Sequence, residues 1–218
     1  MPVGRMKTRE PVAPRIPGAL GLGGPLEEDG VYLSLDFSGL DLSGSRADGV
    51  EIERARFGGT GMAGGVLAKA RLNDVAFENA DLANVRLPGG LVFNTLVDRC
   101  RLTGADLRDC SMRDVLFQGC RADLASFRFA NLRDVVFRDC NLSEASFQEC
   151  RFQNVRFEGC RLGGVQFSGA KLAGTRFSDC DLSGVGGVES LRGVIVSSAD
   201  AQSLVHALAS ALGITIED

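Results

Sequence analysis

From Cys100 to Gly184 apolar and polar positions alternate with a period of five residues and no insertion. The units run CRLTG, ADLRD, CSMRD, VLFQG and so on to CDLSG. The first position is always small (Ala, Cys, Val or Thr), and the third is Leu, Phe or Met, with Ala122 the lone exception. The other three positions are mostly polar, charged or Gly. A period of five fits neither a helix at 3.6 nor a plain strand at 2. It fits a short extended run followed by a bend. Residues one and three of such a run point the same way. With those two facing inward, residues two, four and five face water, and the bend falls after the third. A chain that bends every five residues must coil.

A second period gives the number of bends per coil. Phe recurs at 57, 77, 117, 137, 157 and 177, with Val97 in the gap, and Cys recurs at 100, 120, 140, 160 and 180. Both series step by twenty, so four units close one coil and like residues stack in columns. The predicted object is a parallel coil of square section with successive turns about 4.8 Å apart. Phe127, Phe147 and Phe167 predict a second aromatic column opposite the first. The register extends backwards in degenerate form through Tyr32, Phe37, Leu42, Ala47, Ile52, Phe57, Met62, Leu67, Leu72, Phe77, Leu82, Leu87, Val92 and Val97. Pro88, Gly89 and Gly90 suggest a local distortion.

ADLRD at 105–109, ANLRD at 130–134, ADLAN at 80–84 and CDLSG at 180–184 resemble the A(D/N)LXX unit of the pentapeptide-repeat family. The resemblance covers roughly residues 30–184. It implies an all-β solenoid, a right-handed quadrilateral parallel β-helix. Some bacterial members resemble duplex DNA, bind DNA gyrase and topoisomerase IV and protect against quinolones or other gyrase poisons, so the resemblance also implies that role as an alternative. Several members dimerise through C-terminal elements.

Either side of the repeats the pattern changes. Residues 1–29 form a Pro- and Gly-rich stretch with Pro11, Pro14 and Pro17, expected to be a flexible arm and cap. After Gly184 the register fades, and residues 185–218 read as a C-terminal cap. Ser197 or Ser198 offers an N-cap, a helix is predicted over about 199–212, and Gly213 ends it. Ala201, Leu204, Val205, Leu208 and Leu212 make one apolar stripe, expected to plug the open end of the coil. Ile214 and Ile216 suggest a last strand. Leu204, Val205, Leu208 and Leu212 are also the candidate surface for a homodimer.

One outward column departs from the polar rule. Ala76, Leu96, Leu116 and Val136 share the second position on one face. This stripe of about 15 Å at the strand spacing is a candidate partner surface. The alternatives are a modest surface patch or a strip covered by the N-terminal arm.

Composition narrows the function. The repeats from 30 to 184 hold 20 acidic and 19 basic residues, near balance, and there is no dominant basic face. That argues against direct contact with nucleic acid, and it departs from the strongly negative face a DNA mimic needs. The chain has 21 Arg and only 3 Lys, as a GC-rich genome would give. All seven Cys fall at first positions of units. They lack CxxC-like metal spacing and read as small buried hydrophobes in a reducing cytoplasm. His206 is the only histidine, and there is no phosphate-binding loop and no nucleophile–base pair. The sequence therefore predicts no catalytic, cofactor or metal site, no secretory signal and no membrane span. It predicts a rigid binding or scaffold rod, with a gyrase-directed DNA mimic as the alternative.

Overall fold

A computed structural model describes residues 9–216. The chain winds into a parallel β-solenoid whose strands are β1 (Gly21–Leu22), β2 (Val31–Leu33), β3 (Leu35–Asp36), β4 (Glu51–Gly58), β5 (Arg71–Glu78), β6 (Leu91–Asp98), β7 (Ser111–Gln118), β8 (Asn131–Arg138), β9 (Arg151–Gln153), β10 (Arg156–Glu158) and β11 (Arg176–Ser178). All of them join one sheet, and every pairing is parallel. The register is the one the twenty-residue period predicts: Phe57 lies level with Phe77, Val97 with Phe117, and Phe117 with Phe137. The eight-residue strands β4 to β8 each wrap two adjacent sides of the square. The remaining two sides are tied by single bridges, such as Asp81 to Arg101 and Arg86 to Asp106.

What turns each corner is a left-handed residue. Every fifth-position residue from Asp29 to Gly184 has φ between 44° and 84°. Gly, Asn and Asp adopt this conformation at least cost, which is why they crowd that position. On the two bridge-tied sides the corner closes with a bond from the next residue, as Gly65 N–H donates to the Met62 carbonyl at 3.0 Å. With Gly64 at φ 68°, this is the signature of a type II turn.

The Asp or Asn at the second position also has a physical reason. The fourth-position N–H has no partner in the ladder, and the second-position side chain accepts from it. Asp41 does so for Ser43, Asp81 for Ala83, Asp106 for Arg108, Asn141 for Ser143 and Asp181 for Ser183, at 3.0 to 3.3 Å. These are Asx turns repeated down the rod. Pro88 occupies a fourth position, where a missing N–H is cheap. Contrary to the expected distortion there, the register runs unbroken through Arg86–Asp106 and Leu91–Ser111.

Third-position side chains fill the interior. Phe117, Phe137, Phe157 and Phe177 stack in parallel with ring centroids 4.8 to 5.0 Å apart. Phe127 and Phe147 stack opposite at 4.7 Å. The two columns meet edge to face at 5.7 Å, as between Phe137 and Phe147. That is the favoured arrangement for aromatic quadrupoles. At Val97 the first column lacks a ring. An apolar cavity of about 50 Å³, lined by Phe77, Val92, Val97, Met112 and Phe117 among others, lies there.

Both ends are closed by non-repeat chain. At the start, β1 pairs with β3, and Gly23 lies so close to Phe37 that a Cβ would stand 2.5 Å from the ring. At the other end a short 3₁₀ turn (Val188–Leu191) leads to α1 (Ser198–Ser203) and α2 (Val205–Ala211). The single helix predicted over 199–212 is thus two, broken at Leu204. Ser197 is the N-cap, accepting from Asp200 N–H at 3.1 Å, and Gly213 at φ 70° follows the end. The plug is narrower than the apolar stripe suggested. Leu204 is buried, whereas Val205, Leu208 and Leu212 are exposed, and Ile214 and Ile216 form no strand. Polar groups finish the cap instead. Asp200 Oδ1 accepts from Cys180 N–H at 2.9 Å, and Ser203 Oγ from Leu182 N–H at 3.0 Å. These two donors would otherwise point at a coil that is not there, a costly state for buried N–H groups.

Two core substitutions test the packing. Val97→Phe should complete the first aromatic column and fill the cavity, raising stability by about 1 kcal/mol. Phe137→Ala should lower it by about 3–5 kcal/mol. Chemical denaturation of both variants reads this directly, and a neutral Phe137→Ala would contradict the inward columns.

Candidate interaction surface

The second-position column on the first side reads Arg56, Ala76, Leu96, Leu116, Val136, Arg156. The apolar stretch named from sequence is therefore one continuous strip, bounded by Arg at both ends. It is not bare. Ala76 is 3% and Val136 1% exposed, and Leu96 and Leu116 are half-buried. The cover is the chain's own N-terminal segment. Residues 1–8 of the arm expected to be flexible lie outside the described residues. From Arg9 on the arm is laid along the strip, against the direction in which the coil grows.

The arm is anchored at charged groups. Glu10 bonds Arg156 Nη2 at 2.6 Å and Arg138 Nη2 at 3.2 Å. Asp114 Oδ1 accepts from Val12 N–H at 3.3 Å and from Arg9 Nη2 at 3.0 Å. Asp74 Oδ1 accepts from Arg15 N–H at 2.9 Å. Asp74, Asp114 and Arg156 are all buried. The sequence signal for this strap was present in Pro11, Pro14 and Pro17. Prolines three apart favour an extended helix of three residues per turn, which shows one side to a surface.

Two further residues were missed. Leu124 and Phe129 are fifth-position corner residues with φ 59° and 63°. They are 57% and 47% exposed, on one coil, with the Arg128 guanidinium 5.4 Å from the Phe129 ring centre. A bulky side chain at positive φ is strained, and here the strain is not repaid by burial. The signal lay in CRADL and ASFRF, where Leu and Phe stand in a position otherwise held by Gly, Asp, Asn and a few long polar residues.

The thiols do more than fill space. Cys110, Cys120, Cys150 and Cys160 each donate to the carbonyl twenty-three residues earlier, at 2.7 to 3.3 Å. Thr60 makes the same bond to Phe37, in the column of Cys120 and Cys160. All seven Cys are free and buried. Burial pushes the Cys100, Cys110 and Cys150 thiols up to about 12. A thiol in this state is protonated and a poor nucleophile. His206 sits exposed on α2. Among the described residues no three His, Cys, Asp or Glu are placed to hold a metal ion. No helix among them is long and apolar enough to cross a membrane.

A coil of five-residue units with left-handed corners and stacked interior columns defines the protein as a pentapeptide-repeat solenoid. The family described as "Pentapeptide repeat region" matches residues 92–146 and 125–186. Residues 92–186 are thus a pentapeptide-repeat region by sequence as well as by fold. Full-length QnrB1, a plasmid-mediated fluoroquinolone resistance protein, is 22% identical, with 84% of this chain and 91% of that one covered and a TM-score of 0.35. HetL, involved in heterocyst differentiation regulation in the cyanobacterium Nostoc, is 15% identical, with 77% and 85% covered and a TM-score of 0.34. A thylakoid-lumen protein of Arabidopsis thaliana is 18% identical, with 67% and 71% covered and a TM-score of 0.20. No curated protein sequence matches the chain.

The raised thiols set a pH window. In the unfolded chain a thiol ionises near 9, and in the fold at about 12. Its contribution is fully present below the unfolded value and is lost as pH rises from there. Each thiol should remove about 1.4 kcal/mol per pH unit across that interval. Denaturation midpoints should therefore fall steeply between pH 9 and 11, and less steeply in Cys110→Ala with Cys150→Ala. A flat profile in the parent protein would contradict the buried, neutral ladder.

Proposed function

We propose that the protein is a non-enzymatic rod that binds another protein through the corner residues Leu124 and Phe129. The observation that supports this is the combination of exposure and backbone strain at those two positions. Elsewhere on the coils from 35 to 184 no large apolar side chain is exposed, and the outer surface carries paired charges, such as Arg101 with Asp81 at 2.9 Å and Arg71 with Glu51 at 2.6 Å. Two large apolar groups held outward on a stiff coil present an anchor that loses little freedom on binding. The seven reduced, buried thiols are consistent with a cytoplasmic setting.

The same surface weighs against the DNA-mimic alternative. The Asp81 carboxyl is held below its ordinary range by the hydrogen bond from Arg101, and that of Asp106 by the one from Arg108. These carboxylates are neutralised locally and do not add to a negative field. Purified protein is expected to leave supercoiling by DNA gyrase and topoisomerase IV decatenation unchanged, and inhibition at low micromolar protein would favour the mimic instead.

A second copy of the chain is favoured at the other end. Val205, Leu208, Leu212, Ile214 and Ile216 are all at least 44% exposed on α2 and the residues after it. A homodimer through α2 would cover them. Sedimentation should show a dimer that Leu208→Asp with Leu212→Asp dissolves, and a monomer at every concentration would exclude it.

The corner proposal is tested by Leu124→Asn with Phe129→Asn. Asn already serves as the corner residue at 79, 84, 94 and 154. Relief of strain should leave stability unchanged or raise it by about 1 kcal/mol. Binding of a partner captured by the parent protein should fall at least tenfold. Unchanged binding would remove these residues from the interface.

A further inference from the structure

We infer that the strip running from Arg156 to Asp74 is a groove for an extended, proline-rich peptide, and that residues 9–17 are an intramolecular occupant holding the place of a partner's segment. The geometry of the contact carries this. The groove offers an Arg pair at one end, then Asp114, then Asp74, with Val136, Leu116, Leu96 and Ala76 between them. Asp114 and Asp74 are two coils apart, about 9.6 Å at the strand spacing. Three residues of a polyproline II chain rise about 9.3 Å. Every third backbone N–H of such a chain therefore falls on every second coil, as Val12 and Arg15 do.

What is read is mostly main chain. The two carboxylates accept N–H groups, so the residues at those sites must not be proline. The residues between are free to be, and Pro11 and Pro14 are. Two side chains are recognised: the Glu10 carboxylate, bound by Arg156 and Arg138, and the Arg9 guanidinium, bound by Asp114. The ligand class that follows is an extended segment of the form Arg-Glu-Pro-x-x-Pro-x, with x able to donate a backbone N–H at the fourth and seventh places. No other part of the arm's sequence is required by a contact of this kind.

Two observations say that the groove is built as a binding site. With the arm in place, the three ionic groups the groove presents, Asp74, Asp114 and Arg156, are each at least nine-tenths buried. Left uncovered, they would flank an apolar strip with no role in closing the core, since the interior is already sealed by the first- and third-position columns. On the arm's side Arg9 and Glu10 remain 53% and 59% exposed at the side chain, so water reaches these ion pairs from one side. Gly18, with nothing within 4 Å of where a Cβ would stand, lies between the arm and β1. A partner segment of the same chemistry displaces the arm in trans, with the cis arm setting the threshold as a tethered competitor.

The test uses the full-length chain and a labelled peptide covering residues 9–18, REPVAPRIPG. Val12→Pro with Arg15→Pro removes both N–H donors of the resident arm and keeps its extended conformation. Fluorescence anisotropy should show the peptide binding this variant at least tenfold more tightly than the parent protein. Adding Asp114→Ala with Asp74→Ala should abolish the gain, and a peptide carrying Pro at both donor positions should not bind. Circular dichroism confirms that each variant is folded. Equal binding to parent and variant, or binding indifferent to the two Asp, would overturn the groove. A parent dimer that disappears in Val12→Pro with Arg15→Pro would assign the groove to the arm of a second copy and overturn the partner assignment. Leu124→Asn with Phe129→Asn should leave peptide binding unchanged, so the groove and the corner anchor stand or fall separately.

Discussion

Each coil is bonded to the next only when residues twenty apart are level. The corner residue's N–H reaches the carbonyl nineteen residues on, as Gly104 does to Asp123 at 3.0 Å, and the second-position N–H reaches back, as Asp106 does to Val85 at 2.8 Å. A single insertion would shift every such bond downstream and rotate the inward positions into water, because side-chain facing alternates along a strand. The left-handed corner makes the register possible, since it resets the chain direction once per five residues. Fold, core and surface all inherit this spacing. Parallel stacking also repeats every surface feature at a fixed interval, which is what allows a peptide of matching rise to lie along one side.

The same constraint explains which residues are interchangeable. First positions face a narrow space beside the ring columns, so Ala, Val, Cys and Thr fit there. Cys and Thr add a side-chain bond to the carbonyl twenty-three residues earlier that Ala cannot make, as Thr60 and Cys120 show. Second positions serve the local Asx turn where they are Asp or Asn, and are released for other uses where they are not. The strip from Ala76 to Val136 is such a released column. Its apolar character is paired with a cover supplied by the chain itself.

Much of this was readable in the residues. The columns of Phe57, Phe117 and Phe137 and of Cys100 to Cys180 followed from a period that only a four-sided coil satisfies. The Ser197 cap and the Gly213 stop followed from local chemistry. The end plug was misjudged because amphipathic spacing says that a helix has an apolar face without saying what lies opposite it. Leu204 meets the core, and Leu208 and Leu212 do not. The strap was legible only as one of the alternatives for the apolar strip, for a related reason. Its contacts join residues 59 to 146 positions apart, and proline spacing reports a conformation without reporting a site. Leu124 and Phe129 could have been noticed, since their position in the unit calls for a residue at ease with positive φ.

The twenty-residue register can be tested by deletion. Removing residues 121–140 excises one whole coil and should leave a cooperatively melting rod in which Cys120 is followed by Asn141 in the same phase. Removing 139–141 alone should abolish cooperative melting, since every later residue loses its level with the coil before it. Thermal unfolding of the two variants decides the matter. If the short deletion is tolerated as well as the long one, or the long one is the more damaging, the account of the fold given by stacked, in-phase coils is wrong.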